Sequence, residues 1–163
     1  QIYKRDLRFS IGSGSGNVGQ AIHEFSHALH DQKLSGLSSN DLTVKQIKSV
    51  GWEITDRLGV TTSESGRREL GREVFKKAKE GISQNVSRYA SVDPCEFIAE
   101  AGTMRVLQKA RWRSVENKVA VELSPEDVGR FLWSGAVAAS PPPKEGIKIT
   151  YGDLYEMSGG ADL

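Results

Sequence analysis

The sequence predicts an α+β fold, predominantly helical with a small sheet, within one ordinary domain of 163 residues. Three observations carry this expectation. Several segments repeat apolar residues at helical spacing or open on helix-start signals. The stretch "QIYKRDLRFSI" instead alternates, with Ile2, Leu7, Phe9 and Ile11 set between charges. The tail "IKITYGDLYEMSGGADL" has room for one strand and a turn. Residues 1–140 are expected to form the main domain. Residues 141–163, which open on Pro141, Pro142 and Pro143, are expected to form a polyproline strap or tail packed on the same domain.

The elements follow in order. "GSGSGN" interrupts the opening strand pattern, and a helix begins near Val18, with Ile22, Phe25 and Leu29 as its expected core stripe. Turn formers in "KLSGLSSND" end it. "LTVKQIKSVGWEITDRLG" reads as a second helix with Gly59 as its C-cap. "RRELGREVFKKAKEGI" reads as a third, whose many charges form a solvated face. "SQNVSRYASVDP" reads as a loop. Asp93 and Pro94 supply the N-cap and first position of a fourth helix through "CEFIAEAGTMRVLQKA". Ser124, with Glu126 and Asp127, opens a short fifth helix, "SPEDVGRFLWSG".

Composition narrows the function classes. A net charge of +1 gives no electrostatic reason to expect nucleic acid as a partner. No apolar run is long enough for a membrane span, and no signal-peptide pattern is visible. A start at Gln1 rather than Met leads to the expectation of a longer parent chain. The single cysteine, Cys95, excludes an internal disulfide framework.

All three histidines, His23, His27 and His30, fall within "QAIHEFSHALHD". His23-Glu24-Phe25-Ser26-His27 is an H-E-x-x-H sequence on a predicted helix. Two imidazoles at i and i+4 share a face and can reach one Zn²⁺. Glu24 lies about 100° round the helix, beside the metal, where it can take a proton from water without being a ligand. A third protein ligand is needed. The longer motif fails, because position 30 is His where it requires Gly and position 33 is Lys where it requires His. The residues leave a carboxylate, Cys95 or His30 for that place. His30 is two turns from His23 and cannot easily complete a tetrahedron with the other two. It is expected to be structural or to touch substrate.

Carboxylates are offered by "YASVDPCEFIAE". Glu96 and Glu100 share one face of a helix made largely apolar by Phe97, Ile98 and Ala99. Two glutamates facing a core need a reason, and a metal supplies one. Glu96 can ligate it. Glu100 can accept the free N–H of a ligating histidine and so fix its tautomer.

H-E-x-x-H on one helix, then a tyrosine, then E-F-x-A-E seven residues later, resembles the gluzincin metallopeptidase domains that include the anthrax lethal factor protease domain. It is also similar to the Pro-Pro endopeptidases and to the zincin-like domains of bacterial polymorphic toxins and phage head-morphogenesis proteins. The resemblance implies a zincin-like metallopeptidase fold over 1–140, with His23, His27 and Glu96 as zinc ligands and Glu24 as general base. It implies that Tyr89 assists catalysis and that Glu100 supports a ligand. The expected activity is zinc-dependent hydrolysis of a protein or peptide substrate, with "RDLRFSIG" as the sheet edge that receives it. The alternative is a degenerate zincin-like module for binding or assembly. Secretion, or delivery into a target cell as part of a larger toxin, stays open, as does the oligomeric state.

Overall fold

A computed structural model of the chain describes residues 16–132 and 143–162. The expected opening strand, the substrate edge "RDLRFSIG" and most of the proline run lie outside the described residues. Those described form seven α-helices and one two-stranded antiparallel sheet, an α+β arrangement dominated by helix. No helix among them is long and apolar enough to cross a membrane.

Helix α1 spans Gly16–Lys33. Helix α2 spans Leu42–Leu58: Asp41 caps its start by accepting from the Thr43 and Val44 amides, and Gly59 ends it in the left-handed region at φ 66°. Helix α3, Glu64–Asn85, is longer at both ends than its sequence pattern suggests; Ser63 caps its start by accepting from the Gly66 amide. A 3-10 turn at Tyr89–Ser91 then leads to α4, Pro94–Leu107. Asp93 accepts from the Cys95 amide, and Pro94 fits the first turn, where its missing N–H matters least.

Helix α5, Lys109–Glu116, and strand β1, Val119–Leu123, follow. Helix α6, Pro125–Leu132, opens on the expected box: Ser124 Oγ accepts from the Asp127 amide at 3.0 Å, and Asp127 accepts from the Ser124 amide at 2.9 Å. Strand β2, Ile147–Thr150, pairs with β1 and runs straight into α7, Tyr151–Met157. The expected turn after β2 is therefore a helix, started by the reciprocal pair Thr150 and Asp153.

The register sets Val121 opposite Ile149 and Leu123 opposite Ile147, while Glu122 faces Lys148 on the solvent side. Val121, Leu123 and Ile149 are buried. They pack with Leu70, Val74, Ala78 and Ile82 of α3, Phe97, Ile98 and Ala101 of α4, and Leu154 of α7 in one core. Helices α2 and α3 cross so closely that only glycine fits at the contact. A Cβ on Gly51 would stand 2.0 Å from the Arg67 carbonyl oxygen, and one on Gly71 would stand 2.1 Å from that of Ile47.

One sequence expectation is reversed on α1. Phe25 is 58% exposed, and Ile22 and Leu29 are only half-buried. The buried face is Gly19, His23, Ser26, His30 and Leu34, about 100° round the helix from the apolar stripe. The polar face turns inward because α4 offers it partners.

Candidate metal centre

Helix α1 presents His23 and His27 to α4, and α4 answers with Glu96 from its first turn and Glu100 one turn later. The start of α4 is held in place by α2. Gln46 Nε2 donates to the Pro94 carbonyl at 2.7 Å, and Thr43 Oγ1 donates to Asp93 at 3.1 Å. The cap that starts α4 is thus itself anchored, which fixes where Glu96 emerges.

Three atoms converge. His23 Nε2 and His27 Nε2 each lie 3.0 Å from Glu96 Oε1, and they lie 3.1 Å from each other. Behind them, His23 Nδ1 lies 2.8 Å from Glu100 Oε2. A carboxylate only accepts, so Nδ1–H is the donor and Nε2 of the neutral ring carries a lone pair toward the triangle. The other oxygen of Glu100 accepts from Ser87 Oγ at 2.8 Å, and Ser87 Oγ in turn accepts from the Ala90 amide at 3.1 Å. Glu100 is therefore bonded at both oxygens and is only 5% exposed. The Tyr89 ring lies beside His23, with centroids 6.1 Å apart.

The donor set fits a metal. Ligands about 2.0–2.1 Å from one tetrahedral ion stand roughly 3.3–3.4 Å from each other. The triangle of His23, His27 and Glu96 is slightly tighter than that. His23, Glu24 and His27 also form a group that could hold a metal ion, their ligand atoms lying within 4.8 Å of one another. Of the two carboxylates, Glu96 is the better third ligand, because its oxygen already touches both rings while Glu24 is exposed to solvent. His23 is closed off, but the His27 and Glu96 side chains keep 25% and 21% of their exposure. Among the described residues, the triangle thus keeps its exposure at His27 and Glu96.

The electrostatics favour a cation at this point. Burial alone would lower the pKa of His23, but the hydrogen bonds and charges of Glu100 and Glu96 outweigh it and hold the value at about 9. Burial alone would raise Glu96, but hydrogen bonds and charge from His23 and His27 bring it down to about 2. In the metal-free protein a proton on His23 therefore does what a cation would do.

The expectation that His30 touches substrate is corrected: its ring has no exposed surface, and Nε2 lies 2.8 Å from the Ser158 carbonyl oxygen, to which it donates. Cys95 lies off the triangle, with Sγ 3.3 Å from Thr43 Oγ1. Burial foremost pushes its thiol up to about 12. Ser87 escaped the sequence reading. The signal for it was faint: a serine three residues ahead of Ala90, in position to turn the chain by accepting from that amide.

Comparison with protein families, curated proteins and solved structures finds no match for this chain.

Proposed function

We propose that this chain is a zinc-dependent endopeptidase with a zincin-like fold and a gluzincin ligand set. The observation that carries the reading is the triangle of His23 Nε2, His27 Nε2 and Glu96 Oε1, with edges of 3.0 to 3.1 Å. Two imidazoles and one carboxylate form a set that leaves zinc an open position for chemistry. When bound there, zinc supplies Lewis-acid chemistry, lowering the pKa of a water and polarising a carbonyl.

The remaining work belongs to side chains. The Glu24 carboxylate, exposed next to His23, takes a proton from the attacking water and returns it to the leaving amine nitrogen. The Tyr89 phenol donates a hydrogen bond to the carbonyl oxygen as it gains charge. Glu100 holds the His23 ring in the tautomer that points Nε2 at the triangle. The open side, bordered by His27 and Glu96, admits an extended stretch of a protein or peptide substrate.

Two measurements test this. Elemental analysis of protein purified without chelators should find about one zinc per chain, and none in a His23→Ala variant. Cleavage mapping across a proteome should yield new N-termini with the wild type and none with Glu24→Gln. Equal cleavage by both, at equal zinc content, would refute the reading.

A further inference from the structure

The segment that follows α7 is bonded to the two helices that carry the triangle. From α1, His30 Nε2 donates to the Ser158 carbonyl at 2.8 Å, and Lys33 Nζ donates to the Gly160 carbonyl at 2.7 Å. From α4, Arg105 Nη1 donates to the Ala161 carbonyl at 2.9 Å, and Arg105 Nη2 lies 3.0 Å from Asp162 Oδ1. The segment is itself held in shape. Tyr155 Oη donates to the Ala161 carbonyl at 2.7 Å, the Gly160 amide donates to the Tyr155 carbonyl at 2.7 Å, and Ser158 Oγ donates to the Leu154 carbonyl at 2.6 Å.

Its glycines are required by this fit. Gly159 sits at φ 94°, where a Cβ would come within 2.9 Å of the Leu34 side chain and 3.1 Å of His30 Cδ2. A Cβ on Gly160 would enter the Tyr155 ring at 2.4 Å. A sequence of "SGG" would ordinarily make a loose end. Here it is threaded against side chains of α1 and α7, and the two residues after it are bonded to Arg105 of α4.

We infer that residues Ser158–Asp162 act as a staple between α1 and α4, and that His30 is the positioning residue through which the staple sets the rotation of α1. The triangle needs His23 and His27 turned toward Glu96 to within a fraction of an ångström. His30 is on the same buried face as His23, two turns on, and its ring is fixed by a carbonyl on a segment that Arg105 ties to α4. Rotating α1 would therefore break the His30 bond along with the His23 bonds. This role rests on the proposed metal-binding function of the triangle only for its consequence in metal affinity. The geometric part stands in the metal-free protein.

The experiment uses the full chain with His30→Leu, which removes the donor at similar size, and His30→Gln, which restores an N–H near the Nε2 position. Lys33→Met, at an exposed position, weakens the staple without touching the core. Two readouts are taken on folded samples. One is the NMR resonance of the His23 Nδ1 proton in metal-free protein. The other is affinity for Zn²⁺ and the visible spectrum with Co²⁺. The expected result is a shifted or lost His23 resonance and about tenfold weaker zinc binding in His30→Leu. An intermediate effect is expected in Lys33→Met and recovery in His30→Gln.

If His30→Leu and Lys33→Met lower only the unfolding midpoint and leave the His23 resonance and the Co²⁺ spectrum unchanged, the staple is overturned. If the wild type binds no zinc but the His23 resonance still responds to His30→Leu, the metal reading fails and the staple stands. If His30→Leu does not fold, Lys33→Met decides between the same outcomes.

Discussion

Replacing Glu100 with glutamine isolates the contribution of charge behind the proposed metal centre. The shape is unchanged. Glutamine keeps a carbonyl oxygen for His23 Nδ1–H, and its amide nitrogen can face Ser87 Oγ, which has a second lone pair besides the one taken by the Ala90 amide. What is lost is a negative charge accepting from the ring at 2.8 Å. A hydrogen bond to a charged group contributes about 1.5–3 kcal/mol and a neutral one about 1 kcal/mol. The expected loss of affinity for a cation at His23 Nε2 is therefore about 0.5–2 kcal/mol, or roughly 2- to 30-fold. The loss should depend on pH. Glu100 supports the proton on His23 as well as the proposed metal, and that proton is held up to a pH of about 9. At pH 7 the variant loses metal affinity but also loses part of its proton competitor, so the two effects partly cancel. Above pH 9 the competitor is gone and the full deficit appears. Chelator-buffered zinc titrations of wild type and Glu100→Gln at pH 7 and pH 9.5 measure this. Affinities within about twofold of each other at pH 9.5 would refute the coupling between Glu100 and the metal centre.

Other outcomes follow from the same structure. In metal-free protein, His23 is raised from 6.5 to about 9, so its contribution to stability is complete below pH 6.5 and is lost as pH rises through 9; Glu96 is lowered from 4.5 to about 2, so its contribution is complete above 4.5 and is lost as pH falls through 2. Urea unfolding of chelator-treated protein should show the alkaline loss, and a His23→Gln variant should not. Gly71→Ala forces a methyl group to within 2.1 Å of the Ile47 carbonyl oxygen and is expected to destabilise the protein by about 1–3 kcal/mol in denaturant titrations. Asp93→Ala removes both the cap of α4 and its bond from Thr43, with an expected cost of about 1–2 kcal/mol and weaker metal binding through displacement of Glu96.

The parts of the centre that were legible in the sequence are those written by local spacing. His23 with His27, and Glu96 with Glu100, are each one helical turn apart, and helix geometry alone puts each pair on one face. The caps Asp93 and Ser124 were equally local. The orientation of α1 was not. Its histidine face counts as polar in any hydrophobic pattern, yet it is buried, because His23 and His30 find partners at Glu100 and the Ser158 carbonyl, which lie 77 and 128 residues away. Periodicity records water-transfer preference and carries no information about distant partners. Ser87 was hidden for a related reason: its value lies in holding Glu100, a bond across 13 residues with no regular spacing. Strand β1 could have been found, since Val119, Val121 and Leu123 alternate with smaller or charged neighbours. Helix α7 was signalled by Thr150 and Asp153, three apart.

The pairing of β1 with β2 also has a consequence for biosynthesis. Ile149, Leu154, Tyr155 and Met157 close the core around residues translated well before them, and the staple after α7 comes later still. A ribosome releases Glu96 and Glu100 long before it releases Ile147. During that interval Val121 and Leu123 have no partner strand, and α1 has no contact with Ser158 or Gly160. Chains stalled or cut before Ile147 therefore carry His23, His27, Glu96 and Glu100 with the bonds from α2 and Ser87, and lack the contacts that His30 and Lys33 make to the segment after α7. The last contacts that α1 can gain during synthesis are therefore those to Ser158 and Gly160.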